Sequence, residues 1–309
     1  MIKNKKTLVI IDSNALVHRA FHALPELTSP QGKPVNALYG FLLVFLKVLR
    51  ELDPEYIAAA FDLPGPTLKK KFYKEYKAKR AKAPDELYQQ IPLIKDFLNL
   101  FCVSIFEKQG YEADDVIGTI AKQATKRQIS PELEVIIVTG DLDALRLVDK
   151  NIKVFTLRRG LKDTIIYDED KVKERYQGLN PEQLTDFRAL RGDPSDNIPG
   201  VTGIGEKTAI QLLNKFGNID KIYSLLSRGE DLEGVRESIQ NKLKDYKEQA
   251  YFSQTLAEIE LNVPTEFKLE DCKKENLDKD KIVKALESYG FFSLIKRLPE
   301  SKQISLGNF

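Results

Sequence analysis

The chain has 309 residues, 42% of them hydrophobic and 30% charged, which is ordinary for a globular protein and enough to bury a core without disulfides or structural metals. Its 48 basic and 46 acidic residues nearly cancel, so net charge alone does not mark a partner class. No apolar run is long enough to span a bilayer, and the basic start from Met1 to Lys6 leads into an apolar run that stops at Asp12, too short and too soon charged to read as a signal peptide. Cys102 and Cys272 stand far apart in no metal-ligand spacing, which fits packing residues in a reducing compartment.

In chain order, Thr7–Ile11 is a β-branched apolar run that reads as a strand. Asn36–Leu52 has helical apolar spacing, and Tyr56–Phe61 is a second strand. Pro84–Phe101 is amphipathic and begins with Pro-Asp-Glu, a helix N-terminus. Val103–Phe106 is a third strand, followed by a helix from about Ala113 to Arg127. Glu134–Val138 and Ile152–Leu157 are a fourth and a fifth strand. Strands alternating with helices imply an α/β unit, at about 1–167, with a mainly parallel central sheet flanked by helices. Beyond Asp168 the strands thin out. Pro181–Arg191, Glu206–Phe216, Ile219–Ser227, Val235–Glu258 and Asp280–Glu287 read as helices of a lobe at about 168–300, and 301–309 reads as a tail.

Three of the strands lead into aspartates: Asp12, Asp62 and Asp141. Ligand sites of open parallel sheets lie at the carboxyl ends of the strands, so three distant stretches deliver a carboxylate to one rim. Glu112, Asp114 and Asp115 follow the third strand, Asp143 follows Asp141 by two residues, and Asp193 and Asp196 follow the helix ending at Arg191. Any one of these could be a helix-capping or loop acid. As a set they cannot be explained so: carboxylates ~4 Å apart repel by about 4 kcal/mol per pair at an effective dielectric near 20. They must protonate or bind cations. All-oxygen donors select Mg²⁺ or Mn²⁺ over zinc, and a pair of such ions is a standard device for phosphodiester hydrolysis. With these nine acids set aside, the rest of the chain is basic, as suits a polyanionic substrate.

The stretches AFDLPGPTLKKKFYKEYKAKR, GYEADDVIGTIA, VTGDLDALRLV and RALRGDPSDNIPGVTGIGEKTA resemble the 5′–3′ exonuclease domain of bacterial DNA polymerase I, within the flap endonuclease (5′ nuclease) family, from about residue 7 to 298. The resemblance implies a PIN-like α/β core, a helical arch at about 64–83, and a helix-hairpin-helix at about 197–216. It implies two Mg²⁺ (or Mn²⁺) ions held by Asp12, Asp62, Glu112, Asp114, Asp115, Asp141, Asp143, Asp193 and Asp196. Asp62, Glu112, Asp114 and Asp141 would lie nearer the first ion, and Asp143, Asp193 and Asp196 nearer the second. Leu142 departs from the family, where a basic residue usually stands, at a position that is not a ligand. No polymerase region follows, so the chain reads as a stand-alone nuclease or an excised domain.

Residues 69–82 carry eight basic residues against one acid, with three aromatics interleaved. Beside metals, such a segment gathers phosphates and offers rings for base stacking. Lys69, Lys70, Lys71 and Lys74 are candidate DNA contacts. By resemblance, Tyr76, Lys77 and Arg80 contact substrate near the scissile phosphate, as does Arg19. Lys77 and Arg80, three apart, would share a helix face. His18 and His22 read as packing or surface residues. The turn Gly200-Val-Thr-Gly-Ile-Gly205-Glu-Lys-Thr-Ala209 opens a helix and exposes backbone N–H groups to a phosphate. Gly203, Gly205, Lys207 and Thr208 are its candidate DNA contacts, with a K⁺ ion implied by the resemblance. Contact to phosphates alone predicts binding by shape with little sequence preference.

The expected activity is 5′–3′ exonuclease and flap endonuclease cleavage in primer removal and DNA repair. The expected partners are DNA with 5′ ends or 5′ flaps, RNA primers on DNA, and a DNA polymerase, tethered or separate, with no membrane. A monomer in the bacterial cytoplasm, at the nucleoid, is expected. Two alternatives are a non-catalytic DNA-junction binder, which would have lost several of the acids, and an RNA-cleaving PIN-type nuclease, which would lack the arch and the hairpin.

Overall fold

The computed structural model describes residues 6–126, 132–275 and 277–299. Its elements in chain order are β1 (Lys6–Asp12), α1 (Ser13–Ala23), α2 (Asn36–Leu52), β2 (Tyr56–Ala60), α3 (Leu68–Phe72), α4 (Asp85–Tyr88), α5 (Gln90–Leu100), β3 (Ser104–Phe106) and α6 (Ala113–Ala124). They continue with β4 (Leu133–Thr139), β5 (Ile152–Arg159), β6 (Asp163–Tyr167), α7 (Glu169–Arg175), α8 (Leu184–Arg191), α9 (Glu206–Phe216) and α10 (Ile219–Ser227). The last are α11 (Glu237–Asp245), α12 (Lys247–Ala257), α13 (Lys279–Ser288) and α14 (Phe292–Ile295).

Six strands form one sheet in the order β3-β2-β1-β4-β5-β6. All neighbours are parallel except β6, which returns antiparallel on β5. Both faces are covered, which is why the central strands are apolar throughout rather than alternating. Leu8, Ile10, Val135 and Ile137 face a core shared with α6 and the helical lobe. Val9, Ile11, Ile57, Ile136 and Val138 face a second core built on α2 and α5. The C-terminal α13 and α14 return to this second core through Ile282, Leu286, Phe291 and Leu294, with the Phe291 ring 5.2 Å from that of Tyr39.

The expected strands and most helices are present, and the differences have physical reasons. Helix α1 was not expected, yet Asp12 caps it by accepting from the amide of Ala15. The expected helix Pro84–Phe101 is two helices, because Pro92 has no N–H for the carbonyl four residues back and its ring crowds that carbonyl. The expected helix Val235–Glu258 is also two, divided at Tyr246, and nothing in the sequence explains that break. Strand β6 was missed because its five residues, Asp-Thr-Ile-Ile-Tyr, are a short run without period-2 alternation. The expected end of α6 at Arg127 and the tail 301–309 lie outside the described residues.

One correction concerns the basic segment. Only Leu68–Phe72 of it is helical, and residues 74–80 form a series of turns. Lys77 has φ +54°, a left-handed conformation incompatible with the helix face assumed for Lys77 and Arg80.

Candidate metal centre and nucleic-acid interface

Parallel strands end at one edge, and there the acids gather. Asp12 is the last residue of β1, Asp62 lies just past β2 and Asp141 just past β4. Each is held by neighbours at that edge. Asp12 accepts from the Thr139 hydroxyl at 2.6 Å and from the Ala15 amide at 3.1 Å. Asp62 accepts from the Ala113 amide at 2.7 Å, which ties β2 to the start of α6, and Asp141 accepts from the Asp143 amide at 2.9 Å. With Glu112, Asp114, Asp143 and Asp196 they line a cavity of about 660 Å³, whose wall also includes Arg19, Tyr76, Lys77 and Arg80.

The acids divide into two electrostatic sets. Burial, and then the nearby Asp62 and Asp141, pushes Asp12 up to about 7 despite its two hydrogen bonds. Burial raises Asp114 well above the ordinary range, reinforced by Asp12 and Asp141, and burial also raises Asp62 and Asp141. No lysine or arginine of the described residues lies within 4.0 Å of these four. Desolvation alone would raise Glu112 and Asp143 as well. Lys77 and Lys69 nevertheless hold Glu112 below the usual range, and Arg146 and Arg188 do the same for Asp143. Asp143, Asp193 and Asp196 each offer an oxygen, all within 4.8 Å of one another.

Backbone contact builds the loop carrying the last two acids. The amide of Asp193 donates to Ile198 at 2.9 Å and that of Ile198 donates back at 2.8 Å. Gly192 (φ +77°) and Gly200 (φ +62°) close this loop at its base. A Cβ on Gly200 would lie 2.6 Å from the Arg191 carbonyl carbon, and one on Gly192 would lie 2.7 Å from the Ile198 oxygen. The loop is held to α12, since the Gly200 amide donates to Ser253 Oγ at 3.0 Å.

The basic segment reaches this loop. The amide of Lys77 donates to the Asp196 carbonyl at 2.9 Å, and Asn197 Nδ2 donates to the Glu75 carbonyl at 3.0 Å. Lys77 Nζ is 2.8 Å from Glu112 and 4.0 Å from Asp196, and Arg80 Nε is 3.1 Å from Asp196. Buried Tyr76 donates its hydroxyl to Glu112 at 3.1 Å. Lys77 and Arg80 therefore meet at the cavity through a turn.

Some expected residues lie elsewhere. Asp115 is not among the residues that line the cavity. Its carboxylate accepts from the amides of Glu112 at 3.1 Å and Glu260 at 2.9 Å and is 3.4 Å from Lys69, so it caps α6 and anchors the chain after α12. Arg19 lines the cavity, but its guanidinium donates to the carbonyls of Leu157, Arg158 and Gly160 where β5 turns into β6. Lys69 and Lys70 donate to the carbonyls of Glu258 and Tyr76, while Lys71 and Lys74 are exposed. Gly203, Gly205 and Lys207 are exposed and Thr208 half-buried, in the turn and first helical turn between α8 and α9, away from the acidic cavity. His18 and His22 both line the cavity, and burial lowers His18.

Two residues that the sequence did not single out matter here. Arg188 bridges Asp143 and Asp193, and Arg146 pairs with Asp143 at 2.9 Å. In sequence both look like ordinary basic residues near helix ends. Arg146 pairs within its own turn, whereas only the approach of α8 to that turn brings Arg188 to Asp143.

The residues present fit divalent cations. The donors are all carboxylates, and the pKa values of four of them are raised by desolvation and by one another despite the more distant Lys77 and Arg80, a repulsion that a hard ion would relieve. The carboxylates placed to hold such ions are Asp12, Asp62, Glu112, Asp114 and Asp141 at the strand edge, and Asp143, Asp193 and Asp196 beside it.

Comparison with known proteins agrees with this arrangement. Residues 7–177 match the 5'-3' exonuclease N-terminal resolvase-like domain, and residues 179–280 match the 5'-3' exonuclease C-terminal SAM fold. The chain is 42% identical over 299 residues to DNA polymerase I of Caldicellulosiruptor bescii, covering 96% of this chain and 34% of that protein. It is 39% identical to DNA polymerase I of Bacillus subtilis, covering 96% of this chain and 32% of that protein. It thus spans about a third of the length of these curated relatives. Among solved structures, the bacteriophage T5 flap endonuclease in a pseudo-enzyme-product complex with DNA and metal ions has the same fold. Its TM-score is 0.65 at 20% identity, covering 94% of this chain and 96% of that one. With a mainly parallel sheet gathering acids at its carboxyl edge, and with both domains of the family matched in order, this chain belongs to the 5'-3' exonuclease family.

Proposed function

We propose that this chain is a structure-specific 5′ nuclease that hydrolyses phosphodiesters of DNA bearing 5′ ends or 5′ flaps, using two Mg²⁺ or Mn²⁺ ions. The observation that carries this reading is the set of four carboxylates, Asp12, Asp62, Asp114 and Asp141, which converge on one cavity with no basic nitrogen of the described residues within 4.0 Å of them, while Lys77 and Arg80 line the same cavity. When bound, the ions would supply an activated water and neutralise developing phosphate charge.

The chain's own cations have a definable part. Lys77 and Arg80 rest on Glu112 and Asp196 at the cavity wall, where an incoming phosphodiester competes for them. Transferred to the phosphate, an ammonium and a guanidinium stabilise transition-state charge in a confined site. Tyr76 holds Glu112 in place and closes one side. Arg19, fixed by three backbone carbonyls, keeps a further positive group at the cavity wall.

Duplex DNA is assigned to the turn between α8 and α9. Gly203, Gly205, Lys207 and Thr208 there present a helix N-terminus and a lysine to phosphates, with K⁺ as a further ligand of that turn. Lys69, Lys70, Lys71 and Lys74 are assigned to the single-stranded 5′ end. The chain acts as a monomer in the bacterial cytoplasm, at the nucleoid. It removes primers, including RNA on DNA, together with a polymerase, tethered or separate.

The deciding experiment is cleavage of a 5′-flap substrate labelled at its 5′ end in one sample and at its 3′ end in another, with Mg²⁺ and with chelator. Metal-dependent release of a 5′ fragment is expected. Cleavage that persists unchanged in chelator would end this reading.

A further inference from the structure

Arg188 stands on α8 with its guanidinium between two carboxylates, one terminal nitrogen on Asp143 and the other on Asp193. Asp143 belongs to the turn after β4 and Asp193 to the loop after α8, so this side chain ties the sheet half of the second acidic cluster to its helical half. A guanidinium is always charged, and its planar fork suits two acceptors at once. Arg146 on Asp143 and Arg80 on Asp196 add two more cations. The cluster Asp143–Asp193–Asp196 thus meets three guanidinium groups, whereas Asp12, Asp62, Asp114 and Asp141 meet none of the described residues' guanidinium groups within 4.0 Å.

These cations differ in how readily they can leave. The Arg80 side chain is 49% exposed on the turn segment and can swing to a phosphate. The Arg188 side chain is 17% exposed and rooted in a packed helix, between Phe187 and Ala189 of the core. An oxygen that already accepts from a guanidinium is a poorer ligand for a divalent ion, because the two cations repel at short range.

We propose that Arg188 is a positioning residue that competes for the second cluster: it holds Asp143 and Asp193 in register across the two halves of the protein and sets a weak affinity for the second ion. Loading is then unequal, with the strand-edge carboxylates filling first. This inference rests on the two-ion reading above, and its test separates the two.

The test is Mn²⁺ binding without DNA, followed by the electron paramagnetic resonance signal of free ion, for wild type, Arg188→Gln and Arg188→Lys. Thermal unfolding of each protein is measured in chelator and in Mn²⁺. Wild type should show one tight and one weak class of site. Arg188→Gln should tighten the weak class by about tenfold or more, as expected when a close like charge is removed. Its melting midpoint should fall in chelator and recover in Mn²⁺ by more than the wild-type gain. Arg188→Lys should keep a weak class close to wild type. If Arg188→Gln folds and its weak class is unchanged, or if its lost stability is not regained with Mn²⁺, the residue is only structural and the inference fails while the two-ion reading stands. A wild-type protein that binds no Mn²⁺ overturns both.

Discussion

The amide of Lys77 donates to the carbonyl of Asp196 at 2.9 Å, so the basic segment and the loop after α8 are joined by backbone where their side chains also meet. Because that bond uses no side-chain atom, Lys77 and Arg80 can be shortened without detaching the segment. The double substitution Lys77→Ala, Arg80→Ala should slow single-turnover cleavage of a 5′ flap by about two or more orders of magnitude, as when oriented charge is removed from a site. Its circular dichroism should match wild type. A normal single-turnover rate would remove both residues from the chemistry.

Asp114 lines the acidic cavity, and desolvation together with Asp12 and Asp141 raises its pKa. Asp114→Ala should abolish cleavage and leave flap binding largely intact in a gel-shift assay. In chelator it should melt no lower than wild type, because one member of a repelling buried group has gone.

Within one glycine-rich turn, two positions should respond oppositely to alanine. Gly200 has φ +62°, and its added Cβ would strike the backbone around Gly192, whereas Gly205 has φ −95° and open space around it. Gly200→Ala should cost about 2 kcal/mol or more in urea unfolding, combining left-handed strain with overpacking. Gly205→Ala should stay within about 0.5 kcal/mol of wild type, as surface substitutions do.

Asp186 offers a pH-dependent test away from the cavity. It is buried on α8 and accepts from the Ile219 amide at 3.1 Å and from Gln254 Nε2 at 2.7 Å. Burial raises its pKa despite these bonds. A raised folded-state carboxyl binds its proton more tightly than the unfolded chain does. Its contribution to stability is therefore most favourable below the unfolded value of 3.8 and is lost as pH rises through the folded value. Asp186→Asn removes this loss. The difference in melting temperature, variant minus wild type, should become more positive from about pH 4 to pH 7, the direction set by proton linkage. A difference that stays flat with pH would show that Asp186 does not titrate on folding.

Lys207 lies exposed in the first turn of α9. Lys207→Ala should weaken duplex binding about equally for unrelated sequences and lower the slope of log affinity against log salt by about one, the signature of one lost phosphate contact. A loss confined to one sequence would argue for base contact instead.

The sequence by itself determined the α/β order, the parallel character of the sheet and the carboxylates at its edge. Period-2 and 3.6 patterns follow from local geometry, and parallel strands ending in Asp12, Asp62 and Asp141 must point those residues the same way. Glu206–Phe216 and Ile219–Ser227 were legible to the residue because a glycine or asparagine caps each start. Tertiary structure alone decided which acids carry counter-charge. Asp114 and Asp115 are adjacent in sequence, yet one lines the cavity and the other caps a helix, because successive side chains on a helix point about 100° apart. Lys77 and Arg80 reach one place through a turn rather than a helix face, and Arg188 finds Asp143 across forty-five residues. Such pairings depend on how distant elements pack, and no local period records that.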